Sequence, residues 1–301
     1  MSYSKLYSAI ARGKWFIDFR QLEFYQNIVE QMMNKRGEGY DDKILSSSSP
    51  LTVLMSDGKA MNQGNSFNAA PNGSVAIIPI QGTMLKNGTM CSYGTMEIAQ
   101  MIDEATTCKN ITGTVLDIDS GGGSVDAIAP LVDAIKRSQA AGKPVIASCD
   151  LCCSAAYYVA SYCNEIVANN NISAEFGSIG VMMSFRDYAE KYQKDGIKEH
   201  TIYSNLSEEK GAAFELAREG KYDKIKEEAL DPLARAFRST VQANRKDLKS
   251  DTAGILAGKT FYAQDALKIG LIDKIGTQTY AVSRVKELTT NAIIQEYITQ
   301  I

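Results

Sequence analysis

A chain of 301 residues, 45% hydrophobic and 22% charged, has an ordinary globular composition and is long enough to bury a core without disulfides. A formal net charge of −3 and a pI of about 5.4 supply no basic field for phosphate backbones, which argues against a nucleic-acid partner. No apolar run approaches the ~18–20 residues that span a bilayer, so no membrane partner is expected.

The first 34 residues read as helical: Ile28, Val29, Met32 and Met33 follow helical spacing, preceded by Trp15, Phe16, Phe19 and Phe24. A secretory signal would need an uninterrupted apolar core, and Arg12, Lys14, Asp18, Arg20 and Glu23 break every candidate. A cytoplasmic protein is the expectation. Residues 35–72 turn polar and rich in Gly, Ser and Asn, as a linker does, with one short strand possible at Leu51–Met55. A boundary is therefore expected near residue 72, with residues 1–72 as a helical extension and linker.

From residue 73 strands alternate with helices. Strands are predicted at Ser74–Ile80, Thr112–Ile118, Val145–Cys149, Ile166–Ala168, Ser178–Met183 and Glu199–Tyr203. Helices are predicted at Met96–Ala105, Val125–Ala140, from Ala155 to Ser161, at Tyr188–Lys194 and through a long region over 208–249. The unit AGKTFYAQDALKIGLIDKIG then joins a helix to a short apolar strand. The alternation predicts an α/β domain over 73–290 with a mainly parallel sheet, followed by a tail at 291–301. The continuous apolar run AIIPI suits a strand buried on both faces.

Two turns carry chemistry. Asp117-Ile118-Asp119-Ser120-Gly121-Gly122-Gly123-Ser124 ends one strand and opens a helix, at the sheet edge where α/β proteins bind ligands. Its glycines can turn backbone N–H groups toward an oxyanion, or they can simply make a tight turn. A phosphate loop would need a Gly-Lys-Ser/Thr that does not follow. Cys152-Cys153-Ser154-Ala155-Ala156 ends the next strand. There Ser154 is either a helix cap or a nucleophile with the Ala155 N–H beside it. Phe176-Gly177-Ser178-Ile179-Gly180 adds a third hydroxyl at a glycine-flanked turn.

A serine nucleophile needs a base. The single histidine, His200, lies in a strand-like stretch and reads as structural or surface. A lysine serves if burial disfavours its ammonium form. Lys210, in Ser207-Glu208-Glu209-Lys210-Gly211-Ala212-Ala213-Phe214, is the candidate, with Lys198 and Lys221 as alternatives. Six cysteines include a Cys149-Asp150-Leu151-Cys152 pair, open to redox or zinc readings but without a second ligand pair, and read here as reduced buried thiols. Cys152 or Cys153 as nucleophile would lack a paired histidine.

Taken in order, GSVAIIPIQGTM, DIDSGGGSV, ASCDLCCSAAYYVAS, FGSIGV and GKTFYAQDALKIGLID resemble the signal peptide peptidase A family of serine peptidases, including its phage head-maturation (protease C) branch. The resemblance, from about Gly73 to Val285, implies a Clp protease/crotonase-like fold of repeated ββα units. It implies Ser154 as nucleophile, Lys210 as base, Ser178 as the group positioning the lysine, and Gly122 or Gly123 with Ala155 as the oxyanion hole. It also implies a protein or peptide substrate such as capsid or scaffold proteins and a homo-oligomeric ring, while nothing in the sequence calls for a metal or a cofactor. The sequence departs from the family at Asp119-Ser120-Gly121-Gly122-Gly123, at Ser154-Ala155-Ala156 and around Lys210, where an ungapped match would bring Glu208 to the base position. A crotonase-like acyl-thioester enzyme and an inactive assembly protein of the same fold are the competing readings.

Overall fold

In a computed structural model, the described residues are 15–17, 53–54, 60–61, 67–88, 93–185, 187–198 and 200–299. Strands β1 (Trp15–Ile17), β2 (Val53–Leu54) and β3 (Ala60–Met61) precede the body of the domain. Then come β4 (Ser74–Gln81), α1 (Thr95–Thr107), β5 (Ile111–Ser120), β6 (Gly122–Ser124), α2 (Ile128–Ala140) and β7 (Val145–Cys153). They are followed by α3 (Ala155–Ala160), β8 (Glu165–Ala168), β9 (Glu175–Gly177), α4 (Ala189–Lys194), α5 (Ala212–Arg218) and α6 (Asp231–Asn244). The chain closes with β10 (Thr260–Tyr262), α7 (Ala263–Lys268), β11 (Lys274–Ile275) and α8 (Gln278–Thr299).

The expected α/β architecture is present. β4, β5, β7 and β8 run parallel, and β7 carries two neighbours on one edge: its first half pairs with β8 and its last three residues with β9. Parallel strands covered on both faces are apolar on both, which is why β4 and β5 read as continuous runs. Ile78, Ile80, Leu116 and Ile118 join Ile102, Leu131 and Ile135 of α1 and α2 on one face. Val75, Ile77, Val115 and Ile146 meet Ala281 and Val285 of α8 on the other.

Several expectations are corrected. The helix expected over the first 34 residues is a strand where it is described: Trp15, Phe16 and Ile17 pair antiparallel with Ser124, Gly123 and Gly122. Aromatic and β-branched residues suit a strand once a partner edge exists, and helical spacing alone does not reveal that edge. The rest of 1–34 lies outside the described residues. The strand expected at Leu51–Met55 is found as β2, which pairs with both β3 and β4, so the sheet extends across the boundary expected near residue 72.

No strand forms at Ser178–Met183. The extended segment is β9 just before it, and it ends where Ser178 takes φ 54°. Residues 200–204 are not strand either, and Ile202 is 92% exposed. Alternating residues without a partner strand do not make a sheet. The long helical region breaks at Gly211 and Gly220, both at positive φ. α8 runs on to Thr299, through the segment read as a tail.

A buried ion pair closes the core behind α3. Arg245, 9% exposed, bonds both carboxylate oxygens of Asp273 at 2.8 Å and the Gly270 carbonyl at 3.2 and 3.3 Å. Asp273 also accepts the Ile166 N–H at 2.7 Å. Arg245→Ala leaves that carboxylate unpaired and is expected to lower stability by about 3 kcal/mol, measured by urea unfolding.

Candidate active site

The site begins with a bulge. β5 and β7 pair as Ile118↔Cys149 and then Ser120↔Cys152, so β7 contributes one extra residue between the two pairs. A bulge bends a strand and raises its twist, and here it re-aims the last residues of β7. Cys152 and Cys153 then pair with Phe176 and Gly177 of β9. The next residue, Ser154, reverses the chain at φ 56° and ψ −117° and opens α3. Its N–H donates to the Gly177 carbonyl at 2.8 Å, and its carbonyl accepts the Tyr158 N–H at 2.8 Å.

Positive φ is uncommon for a residue with a Cβ and costs about 1–3 kcal/mol, so such residues persist only where the surroundings over-determine them. Ser154 is 1% exposed, and α3 behind it is locked by burial of Ala155, Ala156, Tyr157, Val159 and Ala160. The Tyr157 hydroxyl donates to the Leu271 carbonyl at 2.8 Å, and Tyr158 packs its ring 5.0 Å from Phe237 of α6. The serine is therefore held in a sharp strand-to-helix turn. Ala155 opens α3, and the first N–H groups of a helix have no intrahelical acceptor.

The glycine turn lies against α3 through β6. Its order comes from Ser120, which sequence reasoning missed as an organiser. The Ser120 hydroxyl donates to the Gly82 carbonyl at 2.6 Å and accepts the Gly122 N–H at 3.1 Å. A serine placed directly before consecutive glycines is the signal that could have found it. Gly122, at φ 104°, thus spends its N–H inside the turn. Gly123 runs beside Met84: the Met84 N–H donates to the Gly122 carbonyl and the Ser124 N–H to the Met84 carbonyl, each at 2.9 Å. A Cβ on Gly123 would stand 2.0 Å from the Met84 oxygen, so no other residue fits. In a strand, N–H and C=O alternate between the two edges residue by residue. The N–H of Gly123 therefore faces the edge opposite Met84.

Ser178 follows Gly177, with its N–H on the Lys259 carbonyl at 3.0 Å. Like Ser154 it has positive φ, and among the described residues these two are the only non-glycines that do. Gly177 thus links the two serine turns. Lys210 lies in an exposed segment, and the acid beside it, Glu209, is held by Lys224. Lys198 and Lys221 are exposed as well, the latter on Glu219 at 2.9 Å, and so is His200. Hydrogen-bonded lysine amines among the described residues are those of Lys143, Lys221, Lys224 and Lys268, each on a partner other than Ser154. Ser154 and Ser178 thus sit on turns joined through Gly177, β6 with Gly122 and Gly123 packs against α3, and Lys198, Lys210 and Lys221 are exposed.

The neighbouring Cys149, Cys152, Cys153 and Cys163 are buried and form no disulfide. Burial pushes the thiols of Cys149, Cys152 and Cys163 up, away from the reactive thiolate. On β5, Asp117 and Asp119 alternate with Ile118 and Ser120 and so face the other side of the sheet. Burial raises both carboxyls, with Asp150 adding to the shift of Asp119.

Ser154→Gly removes the strain at positive φ and is expected to stabilise the fold. The gain is about 1 kcal/mol after the greater chain entropy of glycine is offset, and it reads as a higher thermal midpoint. A lower midpoint would mean that the turn is unstrained.

A model of peptidase family S49 matches residues 137–291. The chain is 31% identical over 216 residues to the head-tail preconnector protein GP5 of Enterobacteria phage P21, covering 69% of this chain and 42% of that protein. It is 25% identical over 253 residues to the capsid assembly protease C of Escherichia phage lambda, covering 82% and 56%. Against Protease 4 of Haemophilus influenzae it is 25% identical over 222 residues, covering 72% and 35%. The chain thus spans less than half the length of GP5 and of Protease 4. Among solved structures, a mutant of the 1510-N membrane-bound stomatin-specific protease in complex with a substrate peptide aligns with TM-score 0.43 at 16% identity, covering 71% of this chain and 80% of that one. An enoyl-CoA hydratase from Polaromonas sp. JS666 aligns with TM-score 0.41 at 16% identity, covering 77% and 82%.

Proposed function

The chain belongs to peptidase family S49, and from that premise we propose that it is a serine endopeptidase with Ser154 as nucleophile and Lys210 as general base. The observation that carries the reading is the strained turn at Ser154, which sets a hydroxyl-bearing residue at positive φ beside the first N–H of α3, the helix against which β6 and its Gly123 pack.

In the proposed reaction the Ser154 hydroxyl attacks the scissile carbonyl while a neutral lysine amine takes its proton. The oxyanion of the tetrahedral intermediate accepts the N–H groups of Gly123 and Ala155. Preorganised donors of this kind are worth roughly 3–4 kcal/mol each, because they need no reorganisation as charge develops. The protonated lysine then gives its proton to the leaving amine, and water hydrolyses the acyl-serine through the same steps. Ser178, on the turn next to Gly177, positions the lysine.

A lysine base must be kept dry, since desolvation disfavours the ammonium. Lys210 is exposed in the isolated chain, on a segment that also exposes Ile197, Ile202, Leu206 and Phe214, two of them by more than 90%. We propose that a neighbouring copy covers this segment and completes the site, giving a homo-oligomer whose chains share their catalytic groups. The likeness to a phage head-tail preconnector protein and a capsid assembly protease supports capsid or scaffold proteins as substrates, cleaved in the host cytoplasm or the assembling shell. No described helix is long and apolar enough to cross a membrane.

Ser154→Ala and Lys210→Ala should each lower kcat/KM on a cleaved peptide by about a thousand-fold or more, with the fold intact by circular dichroism. Mixing the two inactive variants should restore cleavage, because one copy brings the serine and the other the lysine. Full activity of Ser154→Ala would end the serine mechanism. A mixture that stays silent would place the base on the serine's own chain.

A further inference from the structure

β6 has two edges. Met84 takes one, through its bonds to Gly122 and Ser124. The other edge is taken by this chain's own N-terminal segment: Trp15 stands against Ser124, Phe16 against Gly123 and Ile17 against Gly122, antiparallel. Strand alternation turns the N–H and C=O of Gly123 toward that second edge, so the backbone of Phe16 faces the donor assigned above to the oxyanion.

We infer that residues 15–17 act as an internal pseudosubstrate, docked in cis on the strand edge where a substrate peptide would lie and competing with it for the Gly123 N–H. The inference rests on the proposed role of Gly123. An extended peptide adding to a free strand edge gains main-chain hydrogen bonds whatever its side chains, so the chain's own backbone and a substrate's are interchangeable there. Glycine at 122 and 123 presents no Cβ to either occupant.

The contact is also suited to release. Three paired residues make a short strand, and an isolated two-stranded ribbon is marginal in water. Docking gains from tethering, since a tethered segment meets its site at an effective concentration of order mM or below. A longer substrate strand that pairs beyond these residues can displace it. Occupancy then falls as substrate concentration rises in an assembly, and the peptidase is held back while its substrates are dilute.

The test uses the full chain in a Ser154→Ala background, so that binding is read without cleavage. A double substitution, Phe16→Pro and Ile17→Pro, removes donors from two successive residues, so at least one ladder bond is lost whichever residue faces β6. In that variant, amide hydrogen exchange across Gly122–Ser124 should quicken, and a labelled peptide of residues 10–22 should bind at least about ten-fold more tightly in trans. Equal exchange and equal affinity in the two chains would overturn the inference.

A second arm leaves the chain's first 34 residues unaltered. Trp15 is the sole tryptophan, so excess 10–22 peptide carrying Phe in place of Trp15 should change its emission as the segment is displaced. No change at saturating peptide would mean that the strand is a fixed part of the fold, which also overturns the inference. Failure of the proposed function reads separately, as absence of cleavage by the Ser154-intact chain, and leaves these binding results standing.

Discussion

The 2.8 Å hydrogen bond from the Ser154 N–H to the Gly177 carbonyl is the contact on which the site depends. It fixes a residue with a Cβ in a conformation worth about 1–3 kcal/mol of strain, and it ties the end of β7 to the strand beside it. The bulge ahead of it shifts the register, so that Cys153 meets Gly177 and the chain turns one residue later. The buried residues of α3, the Tyr157 hydroxyl on Leu271 and the Arg245–Asp273 pair over-determine the turn from behind. Strain at one residue is thus offset by packing spread over four elements.

Much of the fold was legible in the sequence, for identifiable reasons. β4, β5 and β7 are buried on both faces and so read as apolar runs, and α1 and α2 show helical spacing because one side of each meets the sheet. What misled was pattern without partner. The alternation around His200 forms no strand over residues 200–204, and those residues end up exposed. Trp15–Ile17 went the opposite way: the segment looked helical, yet it found an edge supplied by residues more than a hundred positions later. No local rule encodes that pairing.

The site was legible unevenly. Ser154 and Ser178 sit on neighbouring turns because β7 and β9 run parallel and end together, and β6 packs against the helix that follows Ser154. The division of labour within the glycine turn was not legible. It depends on Ser120 capturing the Gly122 N–H, a contact between residues two apart that spacing alone does not rank. Lys210 was the least legible candidate, since its exposed position in the chain shows nothing of the dry setting a lysine base needs. Ser154 and Ala155 are buried in the core, whereas Lys210 belongs to an exposed segment. In the proposed mechanism assembly joins the two, and the N-terminal strand guards the donor edge until substrate arrives.

The most direct measurement is to treat the folded chain with a fluorophosphonate probe and locate the adduct by tandem mass spectrometry. A serine nucleophile activated by its turn and its N–H donors predicts a single adduct on Ser154, absent when the chain is unfolded in denaturant first. An adduct that forms equally on the unfolded chain, an adduct on another residue, or no adduct at all would contradict that mechanism.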